Sequence, residues 1–275
     1  MKANGPKTLI VGDSGTGKTY AALMAAALTG RQVFVLFCEP GMATINALPT
    51  EVKAKLGKSL FYCYVPVSSS LENLTSAAEL VNKIDFQGLT QAPDKGKAQA
   101  QEYSNIMKAL SNFKDDKTGQ EFGNVQDWKD DRILVIDSLS GLSTAAWRNH
   151  KGDSVTANQG NYQIVQKCLE NFLTWFCARL RCGGIITAHE TRETNEVTNA
   201  SNIYPAIPGI KLAPLVGRNF DDVVRSIKEE GKYFWSTTSR GFASKVRYLK
   251  DGANITPNFE AIYKAYDDLN KDETP

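Results

Sequence analysis

The sequence predicts an α/β fold: a mostly parallel sheet flanked by helices, with an antiparallel meander at its C-terminal end. Three observations carry the prediction. Short continuous apolar runs recur at Leu9-Ile10-Val11, Val33–Phe37 and Ile133–Ile136, as expected of strands buried on both faces. Stretches with helical spacing or composition lie between such runs, and strands alternating with helices imply parallel pairing. The last third changes to short apolar runs separated by turn signals at Glu230-Gly231 and Arg240-Gly241.

The elements follow in chain order. Leu9–Val11 is a strand, Gly12–Gly17 a turn, and Thr19–Thr29 an Ala/Leu-rich helix stopped by Gly30. Val33–Phe37 and Phe61–Val67 read as the second and third strands. Apolar residues at 71, 74, 77, 78, 81 and 84 form a helical stripe over Leu71–Ile84. Residues 85–131 hold 9 acidic and 6 basic residues and turn signals at Pro93, Gly96 and Gly119. They read as a surface insertion with one helix near Ala98–Phe113, Trp128 belonging to its solvated part rather than to a docking site. Ile133–Ile136 is a fourth strand ending at Asp137, and a long amphipathic helix over Asn161–Arg181 leads to a strand at Gly184–Ala188. Thr191–Gly209 is polar, with two prolines and no period, and reads as a long mobile loop. Phe220–Lys228, Lys232–Thr238 and Ala243–Leu249 form the meander, and Phe259–Leu269 is a closing helix. Residues 1–275 are read as a single domain carrying the 85–131 insertion.

Composition excludes whole classes. A chain of 275 residues with 42% hydrophobic and 23% charged residues can build a large core without staples. The net charge is +2, so nucleic-acid binding must come from a local patch. The five cysteines include no Cys-x-x-Cys pair, which argues against a disulfide framework or zinc site and for reduced thiols in a cytoplasm. No apolar run approaches the roughly 20 residues of a membrane span, and the N-terminus does not read as a signal peptide.

Gly12-Asp13-Ser14-Gly15-Thr16-Gly17-Lys18-Thr19 fits G-x-x-x-x-G-K-[ST] in full, between a strand and a helix. Glycines let backbone N–H groups turn inward around phosphates, and the helix N-terminus favours the anion. Lys18 would bridge the β- and γ-phosphates of ATP, and the Thr19 hydroxyl would bind Mg²⁺. Asp137, closing an apolar strand, has the Walker B pattern of a carboxylate in the Mg²⁺ shell; an Asp capping the next helix reads the same way. Hydrolysis also needs a group to orient water. The position after Asp137 is Ser138, so that carboxylate lies elsewhere. Glu39 ends the second strand, at the edge where ligands of open α/β sheets collect, although Glu39-Pro40-Gly41 is equally a turn.

These residues, with Phe37-Cys38-Glu39, Leu134–Leu142 and Ile185–Glu190, resemble the RecA-like ATPases. The ending, through Gly209–Pro214, Phe220–Val224 and Arg240–Arg247, is similar to the compact bacteriophage Sak-type ATPases linked to single-strand annealing and recombination. The resemblance covers most of the chain outside 85–131. It implies ATP and Mg²⁺, Glu39 as the catalytic carboxylate, and His189 as the γ-phosphate sensor where relatives carry Gln or Asn; Glu190 beside it is an alternative carboxylate that reads more simply as a solvated loop acid. It implies single-stranded DNA contacted by Arg148–Gln159 and by Thr191–Gly209, where Tyr204 can stack on a base. It also implies a homo-oligomer in which Lys245 and Arg247, on one face of a strand, reach a neighbour's γ-phosphate. A single-strand-binding protein is a further implied partner, and the host cytoplasm the implied location. Residues 191–250 hold 10 basic and 6 acidic residues, a modest excess for phosphate contacts.

Two other readings stay open. A P-loop small-molecule kinase needs an arginine-bearing lid, and 85–131 contains no arginine. A nucleotide-dependent binding module needs ATP without turnover. An AAA-type ring is disfavoured, because such proteins usually carry Asp-Glu where this chain has Asp137-Ser138.

Overall fold

The computed structural model describes residues 4–65, 101–151, 159–194, 200–209 and 211–271. Eight strands form one sheet: β1 (Lys7–Gly12), β2 (Gln32–Phe37), β3 (Leu60–Tyr64), β4 (Arg132–Asp137), β5 (Gly183–Thr194), β6 (Ser201–Pro205), β7 (Asp222–Glu229) and β8 (Lys232–Ser236). The order is β3-β2-β4-β5-β1-β7-β8, with β6 pairing β5. Every pair from β3 to β7 is parallel, while β5–β6 and β7–β8 are antiparallel. This is the fold class the sequence predicts.

The apolar runs are continuous because both faces are covered. Successive side chains alternate between faces. Leu9, Val11, Phe34, Leu36, Leu134 and Ile136 enter one core, and Ile10, Val33, Val35, Ile133 and Val135 enter the other. The first core is closed by α4 (Glu102–Ser111), α5 (Leu139–Lys151) and α6 (Gln159–Ala178). The second is closed by α1 (Lys18–Leu28), α2 (Met42–Ala47), α3 (Thr50–Leu56) and α7 (Phe259–Lys271).

Three expectations need correction. Within the expected surface insertion, residues 101–131 are built into the first core: Ile106, Leu110, Phe113, Val125 and Trp128 are all buried. Trp128 packs on Phe34 at a ring separation of 4.3 Å and donates through Nε1 to the Phe122 carbonyl. Few apolar residues are present there, but they join the first core, Phe113, Phe122 and Trp128 directly on Phe34, and burial of each contributes about 1.5–3 kcal/mol. Within the expected loop at 191–209, residues 191–194 and 201–205 form an antiparallel ribbon, since β5 continues past the sheet edge to Thr194 and pairs with β6. The expected strand at Ala243–Leu249 does not form. The N–H groups of Arg247, Tyr248 and Leu249 all donate to Oδ1 of buried Asp222. Three successive N–H groups cannot converge in a pleated strand, where they alternate in direction. Only an isolated bridge, Val223 with Lys245, remains of that pairing. The expected helix at 71–84 lies outside the described residues.

Candidate nucleotide site

Strand register levels the site. β1 aligns Gly12 with His189 of β5, and β2 aligns Phe37 with Asp137 of β4. Gly12, His189, Asp137 and Glu39 therefore meet on one sheet edge, where four parallel strands end or leave the sheet. The cleft there has a volume of about 1050 Å³ and is lined by the turn after β1, the start of α1, Glu39-Pro40-Gly41, Asp137, Ser138, His189 and Tyr233.

The turn after β1 depends on Gly15 (φ +73°) and Gly17 (φ +86°), both in the left-handed region that glycine tolerates. Gly17 supplies no side-chain cap to α1, and the first turn of α1 has no acidic residue. Its leading N–H groups are left for an anion. Thr16 Oγ1 donates to the Asp13 carbonyl, and Ser226 of β7 donates to the Thr16 carbonyl, bracing the turn at 2.8 Å each. Buried Lys18 folds back on the turn, its Nζ donating to the carbonyls of Gly12 (2.9 Å) and Asp13 (2.7 Å). Burial lowers the Lys18 pKa, opposed chiefly by the charges of Asp137 and Asp13.

Asp137 is buried and fully engaged. Thr19 Oγ1 donates to Oδ2 at 2.9 Å and Thr187 Oγ1 donates to Oδ1. Burial raises its pKa, and the two threonine hydrogen bonds oppose that without reversing it. Glu39 is half-open to the cleft. Ser138 Oγ donates to its Oε2 at 2.8 Å, and His189 Nε2 lies 3.3 Å from the same oxygen. Burial pushes the Glu39 carboxyl up, but its bonds to His189 and Ser138 and the charges of His189 and Lys18 outweigh this and hold it below its ordinary value.

Glu190 is placed differently. Arg225 grips both its oxygens at 2.9 Å, and Arg192 lies 3.1 Å away. Lys245 and Arg247 are not brought to this cleft. Lys245 Nζ donates to the carbonyls of Arg218 and Phe220, and Arg247 pairs with Asp221 at 2.8 Å. Among the described residues, four of the ten basic residues in 191–250, namely Arg192, Arg218, Arg225 and Arg247, are in ion pairs with carboxylates. Within Arg148–Gln159, Arg148–Lys151 end α5 and Gln159 begins α6; residues 152–158 lie outside the described residues.

Sequence reasoning missed Thr187, Ser138 and Tyr233. Thr187 had a signal: a hydroxyl inside a doubly buried apolar strand needs a partner, and it shares a face with His189 two residues on. Ser138 was noted only as the missing carboxylate. Tyr233 reaches the cleft because the β7–β8 hairpin folds toward Gly17, where an added Cβ would lie 3.1 Å from its ring.

The five cysteines are all free, and among the described residues no helix is long and apolar enough to cross a membrane. The solved structures that share similarity with the chain include two of low identity. One is the RadB recombinase, at 15% identity over 93% of this chain and 90% of that one, with a TM-score of 0.39. The other is the flagellar accessory protein FlaH of Methanocaldococcus jannaschii, at 12% identity over 84% and 76%, with a TM-score of 0.32. No curated protein sequence matches it. A family model described as AAA domain (AAA_24) matches residues 4–248. The match supports the RecA-like P-loop ATPase that the sequence resembles. With a complete phosphate-binding turn and a match across most of its length, the chain belongs to the AAA domain family of P-loop proteins.

Proposed function

We propose that this protein hydrolyses ATP in the cleft and couples hydrolysis to single-stranded DNA. One observation carries the reading: Lys18 and Thr19 of α1, Asp137 of β4, His189 of β5 and Glu39 just past β2 line a single cleft. The turn amides and the α1 N-terminus hold the phosphates, and Lys18 exchanges its carbonyl partners for β- and γ-phosphate oxygens. Thr19 and Asp137 offer only hard oxygen donors, which suit Mg²⁺, an ion usually held by one or two protein ligands plus phosphates. Mg²⁺ bound there would neutralise phosphate charge. Glu39, kept ionised, takes a proton from the attacking water. His189 contacts Glu39 and opens the strand segment that continues into the β5–β6 ribbon, a route by which γ-phosphate occupancy reaches the DNA-contacting surface.

That surface is assigned to the ribbon with Tyr204 and to Arg148–Gln159, of which 152–158 lie outside the described residues, and stacking suits a single strand. Arg247 is exposed and pairs with Asp221, so it is the better placed of the two cations proposed to act on a neighbouring subunit. The role in phage annealing or recombination, with a single-strand-binding protein as partner, rests on the resemblance of the C-terminal third.

The test is ATP hydrolysis by purified protein with and without single-stranded DNA, with Lys18→Ala as blank. Turnover stimulated by DNA in a salt-sensitive way, and lost in the variant, supports the proposal. Turnover indifferent to DNA removes the DNA half. Tight ATP binding without turnover in either condition points to a nucleotide-dependent binding module, and phosphate transfer to a nucleoside points to a kinase.

A further inference from the structure

We infer that Ser138 is the positioning residue of the catalytic site, holding Glu39 in the orientation that receives the proton of water; the inference rests on the role proposed above for Glu39. Ser138 is 1% exposed and stands between the end of β4 and the start of α5. Its Oγ lies 3.1 Å from the backbone nitrogen of Gly141 and 2.8 Å from Glu39 Oε2. A backbone N–H can only donate, so the hydroxyl oxygen accepts from Gly141. Its single proton is then committed to Glu39. The polarity of the contact is fixed by the first turn of α5.

The rest of the environment narrows Glu39 to one arrangement. Both Ser138 and His189 contact Oε2, and among the described residues Oε1 has no hydrogen-bond partner. One oxygen is anchored and the other is left for water. The carboxylate stem is confined too: an added Cβ at Gly141 would lie 2.6 Å from Glu39 Cγ, so the α5 backbone packs directly on it. The Cys38 N–H donates to the Asp137 carbonyl at 2.7 Å, tying the chain ends that carry Glu39 and Ser138. A serine at the position after Asp137 therefore serves the carboxylate that arrives from β2.

A side chain that acts by orientation alters turnover and leaves nucleotide affinity alone. Ser138→Ala is expected to lower kcat about tenfold, a size suited to losing one hydrogen bond to a charged group. KM for ATP and the Kd of a non-hydrolysable ATP analogue in a fluorescence titration should stay close to those of the parent protein, while Tm falls by a few degrees because the Gly141 N–H loses its acceptor. In a Glu39→Gln background, Ser138→Ala should cause no further loss, because the group it serves is gone. Equal losses with and without Glu39, or unchanged kcat in Ser138→Ala, overturn the inference while leaving Glu39 catalytic. Glu39→Gln at full turnover overturns both readings together. Should Ser138→Ala fail to fold, Ser138→Cys keeps the volume and weakens the donor; it is expected to lose turnover similarly, and parent-level kcat there overturns the inference.

Discussion

Glu39 and Glu190 sit on the same edge of the sheet, one just past β2 and the other within β5, and they are held in opposite ways. The Glu39 side chain is 35% exposed and anchored by a hydroxyl and an imidazole through one oxygen. The Glu190 side chain is 4% exposed and gripped by two guanidinium groups through both oxygens. A carboxylate with both oxygens in charge-assisted bonds has little basicity left to offer water. One with a free oxygen facing a cleft keeps it. Position along the sheet edge makes both residues candidates, and the chemistry of their partners favours Glu39 as the proposed base and Glu190 as a clamp.

Exchanging each for glutamine breaks the comparison most directly. Glu39→Gln is expected to lower kcat by roughly 10²–10⁴, the range of general-base catalysis, with Tm nearly unchanged. Glu190→Gln should reverse the pattern. It leaves Arg225, which is only 17% exposed, without a counter-charge. The loss should be about 3 kcal/mol of stability, read by urea unfolding, with kcat within a fewfold of the parent. Matching kcat losses in both variants would mean that Glu190 shares the chemistry.

Acid sharpens the same contrast through stability. Burial raises the Glu190 pKa, but its bonds and charge interactions with Arg225 and Arg192 outweigh that and hold it below its ordinary value. Its contribution is then complete above the unfolded carboxylate pKa of about 4.3 and is lost as pH falls through the lower folded value. Thermal melts in the acid range should show a steep decline in the parent and a shallower one in Glu190→Gln. Equal slopes would remove the clamp from the account.

The residues that hold these carboxylates mark the limit of what the sequence discloses. The phosphate-binding turn is legible because its eight residues are contiguous and its glycines answer to backbone geometry. Asp137 and Glu39 are legible as strand-end acids. Ser138 meets Glu39 from 99 residues away, and Thr187 meets Asp137 from 50, so only the register of β2, β4 and β5 brings them together. Residues 101–131 mislead for another reason. Their average composition is that of surface, while the five apolar side chains that decide their placement are scattered among acids and join one core, Phe113 and Trp128 directly on Phe34. Lys245 and Arg247 alternate as strand residues do, but the buried carboxylate of Asp222 gathers the following N–H groups and bends the chain away.

The smallest expected effect tests whether the clamp is graded. Arg192 and Arg225 both contact Glu190, yet the Arg192 side chain is 61% exposed and that of Arg225 only 17%. An exposed guanidinium gives up little hydration when freed and is screened by salt, so Arg192→Ala should cost under about 1 kcal/mol, and less in high salt. Arg225→Ala should cost about 3 kcal/mol, because it leaves a buried carboxylate with only a rim partner. Urea unfolding of both variants at two salt concentrations separates the cases. Equal costs would mean that the clamp works as one unit and that exposure does not rank its two halves. Unequal costs would leave Arg192 largely free of structural duty on β5, at the ribbon, where a cation can turn from a carboxylate to a nucleic-acid phosphate at little cost to the fold.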